Sequence, residues 1–247
     1  MKSVGGRQWS RWQRAVTGLA IGVLVVVSGF VWRAVTATVT ITPSWTYDIG
    51  YGTSAPAVAD GVVYVLGGEL GEDRLYALDA ATGKQRWTHK LPRVPSAVGY
   101  SDPVVAEGVV YTTDDGRVYA LDAATGEQRW ISETSGPYVS VTLAGGVVYV
   151  RNIGGDMYAL DAATGEQRWT YEVSDGDYYP DDSVVADGVV YLDDDGENTV
   201  HALDAVTGEQ RWTYAIGSGI YRPVVADGVV YISTSSDKVH AVRAATG

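Results

Sequence analysis

An eleven-residue phrase recurs along this chain at intervals of about 40 residues, and few architectures accommodate such a repeat. It reads Ala77-Leu-Asp79-Ala-Ala-Thr82-Gly83-Lys-Gln-Arg-Trp87 and returns over 120–130, 159–169 and 202–212. A fifth copy starts at Ala241 and runs to Gly247. Self-similarity at this period means a solenoid or a propeller.

The repeat extends upstream of the phrase. A unit opens on an apolar strand and a tight turn, Pro103-Val-Val-Ala-Glu107-Gly108, followed by a second strand, Val109-Val110-Tyr111. A polar loop, Thr113-Asp-Asp-Gly116, leads to a third strand, Arg117-Val-Tyr-Ala-Leu121. Residues 122–126 make a turn, and Glu127-Gln-Arg-Trp130-Ile131 is the fourth strand. Each strand is short, rich in Val, Tyr and Trp, and bounded by Gly or Asp. Four such strands per unit predict a propeller blade, because a twisted four-stranded sheet buries both faces only between neighbouring blades.

The phrase resembles the tryptophan-docking motif of the PQQ-like (quinoprotein-type) β-propeller repeat family, Ala-x-Asp-x-x-Thr-Gly-x-x-x-Trp. Four copies match it in full, with Asp79, Gly83 and Trp87; Asp122, Gly126 and Trp130; Asp161, Gly165 and Trp169; and Asp204, Gly208 and Trp212. The fifth keeps Ala241, Thr246 and Gly247 but carries Arg243 in place of Asp. The resemblance covers roughly 43–247 and implies that each tryptophan packs against the turn of the next blade. Elementary chemistry agrees: the Asp accepts hydrogen bonds from turn amides, the Gly permits unusual backbone angles, and the indole buries a large area.

The two ends of the repeat region suggest closure. The fifth repeat has strands near 222–227, 229–234 and 238–244 and no tryptophan strand. Residues Pro43-Ser44-Trp45-Thr46-Tyr47 read like that strand, since Trp45-Thr46-Tyr47 repeats Trp169-Thr170-Tyr171 and Trp212-Thr213-Tyr214. The expected fold is therefore all-β: a propeller of about five four-stranded antiparallel blades, closed by the N-terminal strand so that no edge stays open. Family members used for comparison usually have seven or eight blades. A fragment of a larger propeller, or two associated copies, therefore stays open as an alternative.

Residues 15–32 carry no charge, and as a helix they span about 27 Å, enough for a bilayer core. Lys2, Arg7, Arg11 and Arg14 precede this run and Arg33 follows it, so the N-terminus is expected in the cytoplasm and the propeller outside. The reading divides the chain into a basic N-terminus (1–14), a signal-anchor helix (15–32), a linker (33–42) and the propeller (43–247). A cleaved signal peptide, with Val35-Thr36-Ala37 at the cleavage site, is the rival and would give a secreted protein.

Net charge is −12, and residues 1–37 hold five of the 18 basic residues and no acidic ones. The remainder carries 13 basic against 30 acidic residues, which argues against nucleic-acid binding and favours solubility, cation partners or life in high salt. Four lysines against 14 arginines would fit a halophilic source. There is no cysteine, so packing alone must stabilise the fold.

Chemistry-bearing residues are sparse. The family's quinone-dependent dehydrogenases use eight blades, a calcium ion, an Asp base and, in many members, a disulfide of adjacent cysteines. This chain has five repeats and no Cys, so no cofactor is expected. His201 and His240 stand where Tyr76, Tyr119 and Tyr158 stand in other repeats, which reads as packing; two histidines make a poor zinc site without a third ligand. His89 is read as an isolated loop residue. In the acidic run 193–197, Asp193 and Asp195 are weak calcium candidates beside Gly196, but Ala202 stands where a bidentate Glu would be needed.

The interblade loops, 48–55, 89–101, 132–139, 172–182 and 215–221, vary most between repeats and should share one face. On or beside them lie Tyr51, Tyr100, Asp102, Tyr138, Tyr178, Tyr179, Asp181, Asp182, Tyr221 and Arg222, the candidate binding face. Variable loops on a rigid repeat scaffold are where recognition concentrates. The expected function is a membrane-anchored, extracytoplasmic, non-catalytic binding scaffold, similar to the non-enzymatic, BamB-like branch of the family, with a protein or small-molecule partner. The alternative is an enzyme with a site in the channel mouth, a quinoprotein-type dehydrogenase or a glycosidase-like hydrolase. The hydrolase would need Asp102 and Asp181 or Asp182 at roughly 5–9.5 Å.

Overall fold

In the computed structural model the chain divides into two units, Met1–Ser44 and Trp45–Gly247. The structure describes residues 43–50, 54–69, 72–92, 101–114, 116–133, 136, 138–173, 183–194 and 196–247. The expected membrane helix over 15–32 lies outside them. Among the described residues there is no helix long and apolar enough to cross a membrane.

The second unit is built from antiparallel sheets that follow the repeat. The first holds β1 (Ala57–Ala59), β2 (Val62–Glu69), β3 (Glu72–Asp79) and β4 (Gln85–Leu91). The second holds β5 (Val104–Ala106), β6 (Val109–Asp114), β7 (Arg117–Asp122) and β8 (Gln128–Glu133). The third holds β9 (Tyr138–Ala144), β10 (Val147–Asn152), β11 (Met157–Asp161) and β12 (Gln167–Tyr171). The fourth holds β13 (Val184–Ala186), β14 (Val189–Asp194), β15 (Thr199–Asp204) and β16 (Gln210–Ala215). The fifth holds β17 (Val224–Ala226), β18 (Val229–Ser233) and β19 (Val239–Arg243). Strands neighbour in chain order within every sheet, which is the meander of a propeller blade.

Local chemistry explains the hairpins. The first turn of each blade places two residues at positive φ: Asp60 and Gly61, Glu107 and Gly108, Gly145 and Gly146, Asp187 and Gly188, Asp227 and Gly228. That is the backbone of a two-residue type I′ turn, whose twist matches the flanking strands. The turn after the third strand is tied by its aspartate: Asp79 Oδ1 accepts from the Thr82 amide at 2.9 Å and the Thr82 hydroxyl at 2.8 Å. Asp122, Asp161 and Asp204 accept the corresponding amide bonds. An arginine absent from the family motif completes the device. Arg86, Arg129, Arg168 and Arg211 each donate to the other carboxylate oxygen at 2.6–2.8 Å.

The core lies between blades. One cluster joins Tyr64, Leu66 and Trp87 of the first blade to Val110, Tyr119 and Leu121 of the second. Equivalent clusters join the second to the third, the third to the fourth, and the fourth to the fifth. Each tryptophan crosses to the next blade. Trp87 Nε1 donates to Ala123 O, Trp130 to Ala162 O, Trp169 to Ala205 O and Trp212 to Ala244 O, at 2.9–3.2 Å. The indole lies flat on the next blade's glycine: a Cβ built on Gly126 would stand 2.6 Å from the Trp87 ring, and one on Gly165 2.6 Å from the Trp130 ring. Only glycine fits there, for this contact and for its positive φ. An indole burying on the order of 200 Å² carries roughly 5 kcal/mol of transfer free energy.

The expected closure is half met. Trp45 docks as the motif predicts: its Nε1 donates to Ala80 O at 2.9 Å, and its ring covers Gly83. Residues 43–50 form no strand, however, and the fifth sheet has three strands. The inner strands β1, β5, β9, β13 and β17 adjoin in that order. The outward side of the fifth sheet stays open, with Val224 61%, Tyr231 42% and Val239 72% exposed. The strand-like pattern of 45–47 therefore reflects the docking contact and not a pairing with β19.

Candidate functional site

Alternation of strand direction gives the blades two different ends. The first-to-second and third-to-fourth connections emerge at one end, the turn face. The second-to-third connections and the interblade loops emerge at the other, the loop face. The turn face repeats the same aspartate, arginine and glycine chemistry in blade after blade. A pocket of about 280 Å³ opens there between the third and fourth blades, lined by Gly145, Tyr149, Arg168, Asp187 and Val206 among others. It forms where Gly145 stands in place of the acid of other repeats.

At the loop face the interior turns polar. Ser101, Thr112, Thr113, Ser140, Arg151, Asn152, Ser183, Asp193, Asp194, Thr199 and His201 are all buried near these strand ends. The centre of this belt is an ion pair across two blades. Arg151 at the end of β10 is fully buried and donates from Nη1 to Asp193 Oδ1 and from Nη2 to Asp193 O, both at 2.7 Å. Its Nε donates to Gly155 O at 3.2 Å. Two buried opposite charges so bonded are tolerated only because each satisfies the other. In the second blade, Ser101 and Thr113 share a hydrogen bond at 2.6 Å, and Tyr119 donates to Asp114 Oδ2 at 2.6 Å. Burial and that carboxylate push the Tyr119 phenol well above its ordinary range. The buried hydroxyls of Thr112, Ser140 and Ser183 have no protein partner among the described residues.

Sequence reading did not find this belt, although a signal existed. Leu66, Thr113, Arg151, Asp193 and Ser233 occupy one repeat position in successive blades. A charge at that position in a strand otherwise apolar marks a departure from the blade consensus. Asp193, expected as part of a solvated acidic turn and a weak calcium ligand, is instead buried with its carboxylate held by Arg151. Its companion candidate Asp195 lies outside the described residues. Among the described residues no three His, Cys, Asp or Glu side chains converge as metal ligands would.

Among the binding-face candidates, Asp102 is exposed, and its Oδ1 accepts from the Ala55 amide at 2.7 Å, tying the first blade to the second. Tyr221 is 56% exposed, with its amide bonded to Ser233 O at 3.0 Å. Arg222 beside it is exposed. Tyr138 is the first residue of β9 and not a loop residue; its side chain lies outside the described atoms. Tyr51, Tyr100, Tyr178, Tyr179, Asp181 and Asp182 lie outside the described residues. The carboxylate pair of the hydrolase reading, which needs one of the last two, therefore lies outside them too.

The histidines take places in an interblade ladder. His201 Nδ1 lies 3.0 Å from the Tyr171 hydroxyl and His240 Nδ1 lies 3.2 Å from that of Tyr214, with tilted and edge-on ring contacts respectively. His89 belongs to the same ladder: it lies in β4, packs against Tyr119 and bonds Gly126 O at 3.1 Å. It is not a loop residue because β4 runs to Leu91, which puts His89 at the repeat position of Tyr171 and Tyr214.

The chain has several known likenesses. A family model described as outer membrane protein assembly factor BamB matches residues 5–178 and again 133–247. Quinoprotein alcohol dehydrogenase PedE of Pseudomonas putida is 48% identical over 59 residues, 21% of this chain and 9% of that protein. The chain thus matches less than a tenth of the length of such curated relatives. Among solved structures, the computationally designed Ika8 protein superposes with a TM-score of 0.61 at 13% identity, over 77% of this chain and 58% of the other. Quinohemoprotein alcohol dehydrogenase ADHIIG of Pseudomonas putida gives 0.57 at 21% identity, over 78% and 40%. The two solved structures speak for the fold alone. With its repeated motif, its docked tryptophans and a family model matching most of its length, this chain belongs to the PQQ-like β-propeller repeat family.

Proposed function

We propose that this protein is a non-catalytic binding scaffold that engages its partner through the loop face. The contrast between its two faces carries this reading. The turn face repeats one structural device, whereas the loop face differs in every blade. There the scaffold is also stiffened from within, by the buried Arg151–Asp193 pair and by the Asp102 tie. Rigid support beneath variable loops is the arrangement that recognition surfaces use. Exposed Tyr221 offers aromatic contact area at low entropic cost, and Arg222 and Asp102 offer charge.

The family description, an outer membrane protein assembly factor, supports a scaffold role. The match to quinoprotein dehydrogenases spans 59 residues, about the length of one blade and its neighbours' edges, and so speaks for the repeat rather than for a cofactor. Our reading places residues 15–32 in the membrane as an anchor, with the propeller on the extracytoplasmic side. Resistance of the full chain to carbonate extraction, with the propeller open to protease from outside, is the expected outcome; release by carbonate would refute the anchor.

The binding test compares faces. Partners are captured by cross-linking in cells, using the parent chain, a loop-face variant (Asp102→Ala with Tyr221→Ala) and a turn-face variant (Val206→Ser with Lys84→Ala). Circular dichroism controls for folding. Loss of the captured species in the loop-face variant alone supports the reading; loss only in the turn-face variant overturns it.

A further inference from the structure

We propose that the turn-face pocket between the third and fourth blades binds a small organic cation, an ammonium group carried on a short apolar body. The site lies at the opposite end of the blades from the loop face and takes a small molecule, so it is a function additional to the scaffold role.

Two departures from the repeat meet at this pocket. The first residue of the opening hairpin turn is Asp60, Glu107, Asp187 or Asp227 in four blades and Gly145 in the third. The residue two places after the motif aspartate position is Ala81, Ala124, Ala163 or Ala245 in four copies and Val206 in the fourth blade. Gly145 and Val206 both line the pocket. The glycine withdraws a side chain and its charge, and a Cβ built on it would meet nothing within 4 Å. The valine is 72% exposed, so its added methyl groups serve the pocket more than the packing of the blades. One change makes room, and the other makes the room apolar.

The remaining lining decides which ligand fits. Val147, Tyr149 and Ala205 are buried and Val185 is half-buried. The Tyr149 hydroxyl and the Trp169 indole already share Ala205 O, so these polar groups are bonded within the protein. Selection therefore falls to the two charged residues of the lining, Arg168 and Asp187. Arg168 is engaged by Asp161 at 2.6 Å, and Asp204, in the same turn as Val206, is engaged by Arg211 at 2.7 Å. Asp187 is exposed and takes part in no ion pair among the described residues. One uncompensated negative charge thus stands beside an apolar surface.

That combination selects an ammonium on an apolar body. The ammonium donates to the Asp187 carboxylate in a charge-assisted hydrogen bond, and the body displaces water from Val147, Val185 and Val206. A carboxylate ligand would be repelled by Asp187, and a bare inorganic cation would leave the apolar lining wet. The net charge of −12 raises the concentration of cations near the surface. The volume of about 280 Å³ lies at the small end for ligand pockets and limits the body to the size of one aromatic ring with a short tether.

The test titrates the full chain into para-fluorophenethylammonium and follows the fluorine NMR line. A dissociation constant of about 1 mM is expected for a ligand of about ten non-hydrogen atoms. The carboxylate analogue of the same shape, para-fluorophenylpropanoate, should not broaden. Two variants separate charge from room. Asp187→Asn removes the carboxylate at constant size and should weaken binding about fivefold. Gly145→Asn fills the room and should weaken it at least as far. Both create the Asn-Gly pair that a type I′ turn favours, at φ values of 50° and 56°, so both fold. Asp60→Asn makes the same replacement in the first blade and should leave binding unchanged. The proposal is overturned if the parent does not broaden the amine, if the propanoate binds as well, or if either pocket variant binds like the parent. It is equally overturned if Asp60→Asn weakens binding as much as Asp187→Asn, since the effect would then be diffuse surface charge.

Discussion

At the residue scale, two kinds of charged group have opposite roles. The turn aspartates are exposed but heavily bonded. Arginine first, then threonine groups, hold Asp79, Asp122 and Asp161 at a pKa of about 2, and Asp204 is lowered in the same way. Because these pKa values fall below the unfolded value near about 3.9, the bonds contribute stability above about pH 4. That contribution is lost as pH falls toward about 2, when the folded carboxylates protonate. Urea midpoints should therefore be level from pH 7 to 5 and drop between pH 4 and 2; Asp122→Asn should shrink the drop. A midpoint independent of pH down to 2 would contradict the assignment. The buried pair behaves differently. Arg151→Met removes the cation that holds the buried Asp193 carboxylate, and the expected loss is about 3–5 kcal/mol. Adding Asp193→Leu should restore most of it, as read by denaturant unfolding; a double variant no better than the single would mean the pair is not coupled. This pair was invisible to motif reading because it obeys no motif: it is a departure at one repeat position in two adjacent blades, and only their packing brings the departures together.

At the scale of the element, the hairpins were legible because their chemistry is local. An acidic residue or glycine followed by glycine, between β-branched runs, specifies a type I′ turn by itself. The structure places the strands of the second and fifth repeats within one or two residues of where the pattern put them, except that β6 runs on to Asp114, three residues past Tyr111 and into the expected polar loop. Glu107 occupies the left-handed region at φ 50° where the third blade has Gly145. Asparagine tolerates that region better than glutamate, so Glu107→Asn should stabilise by about 0.5 kcal/mol. A measured loss would argue that Glu107 makes a compensating contact at the turn face. His89 shows the limit of local reading. Its strand extends past Trp87 because it packs on the next blade, and a tertiary contact of that kind leaves no mark in the run Thr88-His89-Lys90.

At the scale of the whole molecule, repetition conveyed the architecture and withheld its closure. Each copy of the motif encodes contact with the next blade, so the chain of interfaces follows from sequence. Whether the first and last sheets meet depends on accumulated twist over the whole unit, which no single repeat records. The open side of the fifth sheet and the docked but unpaired segment at Trp45 are the outcome. The tryptophans are the contacts that hold successive blades together. Equilibrium unfolding of Trp87→Ala, Trp130→Ala, Trp169→Ala and Trp212→Ala, measured one at a time, tests that most directly. Each is expected to lose about 3–5 kcal/mol, the range for emptying a buried aromatic site. Losses below about 1 kcal/mol across the four would contradict it, since indoles so easily dispensed with could not be what joins one blade to the next.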